Sequence, residues 1–517
     1  MADTNGEPEK AQAQAHPPAL HVIVLGAGGG PQENNTTALL VRSVASGWTR
    51  RSIISVDAGV HLSAITNILE KTVPAGLSAE TLPHTLTDGP FKGLELTAET
   101  TSFYPSTIAA YITRSLIETY VITHPHLDHI AGFVVNTAGL TRQKRLAALP
   151  TTINAFKNHI FNNIIWPNLS DENNGAGLVT YIRLVEGGSP AIGDGEAKGY
   201  LEVGDNLLAK VWSVSHGHCI EHHPHRGSTS SAATPHRYGS VDGASMASPR
   251  ILAHGFPPST GPMIPRAASV APEPMPSECV YDSSAYFIQD YVTKQEILIF
   301  GDVEPDSISL SPRNERIWKE AASKIAAGQL AAIFIECSYD ESQSVDRLFG
   351  HMKPSYLIEE LRALAYEVRQ VDHLSRKRKR DPETVHRRRT GGPLSRVAHG
   401  DESPISPKSV AKRALSTDIP NVPPLPPLPP SATSVESSHL TTPTETELGM
   451  SESEDGLQGP SLKGFLKGVK IVVIHVKERL DGTNVGAVIE RELLKFEEKE
   501  QLGCEFIISK PGESIYL

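Results

Sequence analysis

The stretch THPHLDH, residues 123–129, follows the apolar residues 120–122 and places three histidines and an aspartate within six residues. Imidazole and carboxylate are the ligands that zinc, manganese and iron accept. Alternate residues at the end of a strand point the same way, so His124 and His126 can bind one ion together. Asp128 and His129 lie beyond the bend, where they can face a second ion. The stretch therefore predicts a two-ion site between a strand and a helix.

Further candidate ligands follow other apolar strands or precede a helix. His216 lies in VWSVSHGH, Asp302 in EILIFGD, His351 in LFGHMKP and His475 in VVIHVK. Alone, an isolated histidine is more often structural or exposed, but the shared position of these residues favours a metal site. A carboxylate at position 302 can bridge two ions. Two adjacent ions form a clamp suited to hydrolysis.

Composition narrows the class of protein. The chain has 517 residues and a formal net charge of -11, so no global basic field attracts nucleic acid. No run of 18 apolar residues predicts a membrane helix, and the polar first residues do not resemble a signal peptide. Four cysteines lie far apart, without a CxxC pair, which favours a reducing compartment and excludes a cysteine-type zinc knuckle. We therefore expect a cytoplasmic protein without membrane or nucleic-acid partners.

Hydrophobic patterning predicts a disordered tail over 1–19 and a single domain over 20–517. Two flexible insertions interrupt that domain, at 221–276 and at 375–464, where Pro, Ser, Gly or charged residues dominate. About 350 residues remain, which is ample for one large hydrophobic core. Strands are predicted at HVIVLG, TALLV, RSIISVDAG, TYVITH, EILIFGD, LAAIFIECSYD and LKGVKIVVIHVKE. Helices are predicted between them.

The second insertion contains two short motifs. Its basic run consists of Arg376, Lys377, Arg378, Lys379 and Arg380. This run is consistent with a nuclear localisation signal, a phosphate-binding patch or a solvated linker. The segment VPPLPPLPP, residues 422–430, should form polyproline II, either as a ligand for an SH3 or WW domain or as a rigid spacer.

Several longer phrases carry a resemblance to a known family. They are GAGGGPQENNTTALLV, VDAG, THPHLDHIAGFVVNTA, SVSHGHC, FGDVEPD, IECSYDESQSVDRLFGHMKPSYLIEEL and VVIHVK. Together they resemble the class II cyclic-nucleotide phosphodiesterases, found largely in fungi, within the metallo-β-lactamase superfamily. The resemblance covers about 20–220, 277–372 and 465–517. It implies an α/β fold of the metallo-β-lactamase type, a four-layer αββα sandwich with its metals at one sheet edge.

The resemblance also implies two Zn²⁺ ions, with manganese or iron as alternatives. His124, His126 and His216 would hold one ion, and Asp128, His129 and a late histidine the other, with Asp302 bridging. For the late ligand we expect His351, because related RNA-processing hydrolases have an acidic strand followed by a similar GH segment. His475 would then lie near the substrate phosphate, and Asn35 would also contact the substrate. Asp57 is either an aspartate behind the ligands, as in the family, or a turn residue.

The predicted function is hydrolysis of 3′,5′-cyclic AMP to the 5′-nucleotide by a metal-activated hydroxide, which would terminate cyclic AMP signalling. Asp128, Asp302 and His475 are the predicted catalytic residues, and cyclic GMP is an open second substrate. Alternatives are an RNA 3′-end endonuclease or a thioesterase of the same fold. A scaffold that binds partners through its proline-rich insertion is a further alternative. The oligomeric state is left open.

Overall fold

The computed structural model describes residues 17–97, 104–193, 198–218, 280–380 and 461–517. The chain divides into a main unit, Met1–Arg376 with Leu462–Leu517, and a second unit, Lys377–Ser461. Of the predicted tail and insertions, residues 1–16, 221–276 and 381–460 lie outside the described residues, and so does the proline-rich segment 422–430. Residues 375–380, which were assigned to the second insertion, are helical. The basic run occupies these residues, and its role in localisation stays a prediction.

The described residues form sixteen strands and seven α-helices. The strands are β1 (Leu20–Gly26), β2 (Ala38–Ser43), β3 (Ile53–Val56), β4 (His84–Thr85), β5 (Glu95–Leu96), β6 (Ile117–Val121), β7 (Lys144–Ala148), β8 (Val179–Arg183), β9 (Leu201–Gly204), β10 (Leu207–His218), β11 (Val280–Asp290), β12 (Glu296–Phe300), β13 (Leu330–Glu336), β14 (Lys470–Ile474), β15 (Glu505–Ile508) and β16 (Ser514–Tyr516). The helices are α1 (Leu62–Thr72), α2 (Pro105–Tyr111), α3 (Leu127–Asn136), α4 (Pro150–Ala155), α5 (Asn314–Ala326), α6 (Pro354–Arg380) and α7 (Val485–Glu500). Among the described helices, none combines the length and the apolar character needed to cross a bilayer.

Two seven-stranded sheets form the middle of the main unit. Their strand orders are β16-β1-β2-β3-β6-β7-β8 and β15-β14-β13-β12-β11-β10-β9. Strands β3, β6, β7 and β8 are parallel to one another, and so are β12, β13, β14 and β15, whereas the remaining neighbours are antiparallel. Half of each sheet is therefore parallel, and the carboxyl ends of its parallel strands all lie at the same edge of the sheet.

Alternate residues of the central strands enter different core layers. In β1, Val22 and Val24 pack between the two sheets, whereas Ile23 and Leu25 pack with helices α1 to α4. In β13, Phe334 joins the layer between the sheets, and its neighbours pack with α5, α6 and α7. This period of two with burial on both faces is what a sheet covered on both sides requires. The predicted αββα sandwich is confirmed.

The patterning located most of the central strands and helices, but it missed the region of α2, β7, α4 and β8. Helices α2 and α4 span only 7 and 6 residues, and each begins with a proline. Both continue into a π-turn, so no long stretch of helical spacing marks them. Strand β16 was also missed, because three residues carry no periodic signal and pair only with β1.

Trp318 in α5 anchors the outer layer of the second sheet. Its side chain is fully buried, its ring lies 5.1 Å from that of Phe300, and its Nε1–H donates to Glu360 over 2.6 Å. We expect Trp318→Ala to lower the free energy of unfolding by about 3–5 kcal/mol, because it opens a cavity and removes one of the donors to the buried carboxyl of Glu360. Urea unfolding measures this change.

The matched control is Ser323→Ala, an exposed position on the same helix. Its unfolding midpoint should stay at the wild-type value. Equal midpoints for Trp318→Ala and the wild type would show that α5 does not stabilise the second sheet.

Candidate metal centre

The parallel halves of the two sheets bring the polar residues of five strand ends to one place. Asp57 follows β3, His124 follows β6, Asp302 follows β12, Glu336 ends β13 and His475 follows β14. Carboxyl ends of parallel strands lie at the same edge of a sheet, and two packed sheets place two such edges side by side. The fold therefore positions these side chains through the backbone.

One group of candidate ligands consists of His124, His126, His216 and Asp302. Their ligand atoms all lie within 4.8 Å of one another. Nε2 of His124 is 3.0 Å from Nδ1 of His126 and 3.5 Å from Oδ2 of Asp302. Nε2 of His216, from β10 in the other sheet, lies 3.4 Å from the same Oδ2. The structure thus brings together the residues that were predicted to hold the first ion.

A second group consists of Asp128, His129, Asp302 and His475, again within 4.8 Å. Nε2 of His129 is 3.1 Å from Oδ1 of Asp302. Nε2 of His475 is 3.3 Å from Oδ2 of Asp302 and 3.7 Å from Oδ2 of Asp128. Asp302 belongs to both groups, which is the position a bridging carboxylate would occupy.

His351 occupies a different place from the one predicted for it. It groups with Glu336 and His216, whereas His475 lies with Asp128 and His129. Nδ1 of His351 is 3.0 Å from both carboxylate oxygens of Glu336 and 3.9 Å from Asp302. Glu336 at the end of β13 thus contacts Nδ1 of His351, and the assignment of His351 as a metal ligand stays a prediction.

Hydrogen bonds behind the histidines fix their ring orientations. Asp57 accepts from Nδ1 of His129 over 2.7 Å, and it also accepts from the backbone N–H and the hydroxyl of Thr123. Nδ1 of His216 donates to the carbonyl of Gly350 over 3.0 Å. Such partners leave the Nε2 atoms facing the shared carboxylate. Asp57 therefore positions a candidate ligand, in agreement with the family-like alternative.

Thr37 plays the same part for His475. Its hydroxyl lies 2.7 Å from Nδ1 of His475 and donates to the carbonyl of Gly28. The contact spans the two sheets, and no sequence signal marked it. Gly29 makes this approach possible, because a Cβ at that position would lie 2.5 Å from Nε2 of His475.

Burial and neighbouring charges set the protonation of the site. Burial lowers the pKa of His124, His216 and His475, and burial together with His216 lowers that of His126 to about 4. These imidazoles are therefore neutral at neutral pH, the form that binds metal.

Asp302 and Asp57 raise the pKa of His129 well above its usual range, although burial opposes them. Burial would raise the pKa of Asp302, but His129 and the other histidines outweigh it and lower that pKa. The cluster thus contains a buried carboxylate that requires positive charge beside it.

Three buried polar atoms of the cluster indicate whether the site suits a cation. Nε2 of His129, Nε2 of His475 and Oδ1 of Asp302 make no hydrogen bond of good geometry among the described residues, although Nε2 of His129 lies 3.1 Å from Oδ1 of Asp302. Buried polar atoms normally find such partners, so a convergent set of unpaired donor atoms needs another explanation. Nitrogen and carboxylate ligands suit a divalent transition metal. The residues therefore fit divalent metal ions.

Asn35 has both ends of its amide engaged. Its Oδ1 accepts from the backbone N–H of Ala27 over 3.0 Å, and its Nδ2 donates to Glu478 over 2.6 Å. These bonds link the glycine-rich turn after β1 to the segment after His475. A contact of Asn35 with the substrate stays a prediction.

Comparison with known proteins identifies the family. A model of the class-II cAMP phosphodiesterases matches residues 29–376. A 3′,5′-cyclic-nucleotide phosphodiesterase of Candida albicans is 27% identical over 387 residues, covering 68% of this chain and 84% of the relative. One from Schizosaccharomyces pombe is 28% identical over 339 residues, covering 65% and 72%.

The fold is similar to that of a solved structure, unliganded yeast PDE1. The TM-score is 0.55 at 17% sequence identity, and the match covers 97% of this chain and 100% of the yeast chain. At this identity the likeness shows the fold alone. Since the family model spans more than half of the sequence, this chain belongs to the class-II cAMP phosphodiesterase family.

Proposed function

We propose that this protein hydrolyses 3′,5′-cyclic AMP to 5′-AMP at the cluster around Asp302. The observation that carries the proposal is the pair of ligand groups sharing this buried carboxylate in a member of the class-II family. A cyclic phosphodiester presents one phosphorus atom with a negative charge, and a two-centre site can bind that charge from two sides.

Two divalent ions, which we expect to be zinc, would be held by the two groups. His124, His126 and His216 would bind one ion, Asp128, His129 and His475 the other, and Asp302 both. His475 replaces His351 in this proposal because its Nε2 lies with Asp128 and Asp302. Such ions supply a nucleophile at neutral pH and neutralise the charge of the phosphate.

Glu336 and His351 would then protonate the leaving group. Breaking the bond between phosphorus and O3′ leaves an alkoxide that needs a proton. Glu336 accepts from Nδ1–H of His351, and in the imidazolium form the second proton of the ring, on Nε2, would pass to the O3′ atom. The buried carboxylate also accepts from the backbone N–H of Val303 over 2.7 Å and from the hydroxyl of Ser338 over 2.6 Å. These bonds hold its negative charge beside the imidazole.

Cyclic GMP stays an open second substrate, since no described contact reads the edge of the base. The net charge of -11 disfavours the RNA endonuclease, which needs a basic surface to bind its substrate. A pure scaffold would have no use for the convergent buried ligand atoms around Asp302.

Purified protein supplied with zinc should convert cyclic AMP to 5′-AMP, because bond cleavage falls on the 3′ side. A chelator should abolish the reaction, and added zinc should restore it. Chromatography of the products measures both the rate and the position of cleavage. Cyclic GMP and a precursor RNA serve as parallel substrates. Cleavage of the RNA without formation of 5′-AMP would contradict the proposal.

Metal content should separate His475 from His351. We expect two ions in the wild type, about one in His475→Ala, and two in His351→Ala, because His475, and not His351, belongs to one of the two groups that share Asp302. Mass spectrometry of the metals in dialysed protein gives the ratio. An ion lost from His351→Ala but kept in His475→Ala would restore the original assignment of His351 as the ligand.

Loss of the proton donor should slow the chemical step without removing metal. We expect His351→Ala and Glu336→Gln to lower kcat by about 10²- to 10⁴-fold while KM changes little. Steady-state kinetics on cyclic AMP measures this. A cyclic analogue with sulfur in place of O3′ is the matched control, because a thiolate leaves without a proton and should narrow the difference from wild type. An equal loss on both substrates would exclude proton donation.

A further inference from the structure

A row of ring contacts crosses the candidate metal centre and ends in a tyrosine on each side. Tyr281 lies 5.9 Å from His126, measured between ring centroids, and His126 lies 5.1 Å from His216. His216 lies 4.8 Å from His351, which lies 6.1 Å from Tyr339. Both tyrosines are partly exposed, whereas His216 and His351 are buried. Both tyrosine rings are therefore accessible from solvent.

The chemistry of the proposed reaction distinguishes the two ends of this row. O3′ belongs to the ribose, and the base is attached to the same ring. If the doubly protonated imidazolium of His351 donates from Nε2 to O3′, the nucleoside lies at the His351 end, where Tyr339 is the neighbouring aromatic ring. Tyr281 lies at the opposite end, beside a residue of the first ligand group.

The backbone around Tyr339 is fixed to the segment that carries His351. Its N–H donates to the carbonyl of Met352 over 3.3 Å, the residue after His351. The same segment exposes Phe349, whose side chain is 59% exposed and whose φ is +53°. A bulky residue at positive φ is uncommon and is a feature of functional segments. The His351 end of the row thus has Tyr339, whose backbone is hydrogen-bonded to the segment of His351, and a second aromatic residue, Phe349.

We propose that Tyr339 packs its ring against the ribose and base of the bound cyclic nucleotide and thereby determines affinity for the nucleoside. This inference rests on the proposed function. Base–aromatic stacking tolerates any purine, because every base has a π-face. Tyr339 would therefore bind adenine and guanine alike. Its ring would make the site bind a cyclic phosphate that carries a base more tightly than one without a base.

The hydroxyl of Tyr339 is a second feature that the test must separate from the ring. Burial raises the pKa of Tyr339 to about 12, with contributions from Glu336 and Asp302, so the group stays protonated. Tyr339→Phe removes the hydroxyl and keeps the ring, whereas Tyr339→Leu removes the ring. Tyr281→Leu is the matched control at the other end of the row.

Two substrates should be compared: cyclic AMP and a 3′,5′-cyclic phosphate of 1-deoxyribose, which has no base. We expect Tyr339→Leu to raise KM for cyclic AMP about tenfold or more, the size of one lost stack. KM for the base-free compound should rise much less, kcat should stay near wild type, and Tyr339→Phe should retain most of the affinity. Tyr281→Leu should leave both KM values unchanged. Metal content and the thermal midpoint verify that each variant is folded.

Three results would overturn the inference. One is a Tyr339→Leu variant with wild-type KM for cyclic AMP. Another is an equal loss on both substrates, which a merely structural ring would give. The third is a rise in KM for cyclic AMP in Tyr281→Leu alone. Wild-type protein is the reference in every comparison. If the proposed function is wrong, the wild-type protein itself will form no 5′-AMP, which is distinct from these three results.

Discussion

The buried carboxylate of Asp302 is the constraint on which the rest of the centre depends. It is 2% exposed and lies within 3.5 Å of Nε2 atoms from His124, His129, His216 and His475. A carboxylate removed from water is costly unless positive charge or hydrogen bonds compensate it. The surrounding imidazoles are held with their nitrogens toward it, and most are neutral. Metal ions held by these residues would add positive charge beside this carboxylate, next to His129, whose pKa is raised.

The αββα architecture explains how such a cluster can be rigid. Both sheets place the carboxyl ends of parallel strands at a common edge, and the core between the sheets fixes their separation. Contacts such as Thr37 with His475 and Gly350 with His216 then cross between distant parts of the chain. Side chains positioned from packed strands keep their geometry better than side chains on free loops.

His351 and His475 take different places, and the reason is the carboxylate that each one contacts. His351 faces Glu336, which is fully buried and accepts three further donors. Nδ1 of His475 contacts the hydroxyl of Thr37, and its Nε2 faces the carboxylate of Asp302. These different contacts underlie the roles proposed above, a proton donor for His351 and an ion ligand for His475. Spacing along the chain could not separate these roles, because each depends on residues more than ten positions away.

The sequence by itself determined the fold class and most of the candidate ligands. The apolar strands that precede His124, Asp302 and His475 can be recognised locally. Each shows an apolar run that is followed within a few residues by a polar side chain. Tertiary structure alone decided that His475 joins Asp128 while His351 joins Glu336. It also decided that Asp57 supports His129 and that Thr37 supports His475. Two of these pairings, His475 with Asp128 and Thr37 with His475, join the two sheets, and the packing distance between the sheets is a property of the whole core rather than of any short stretch.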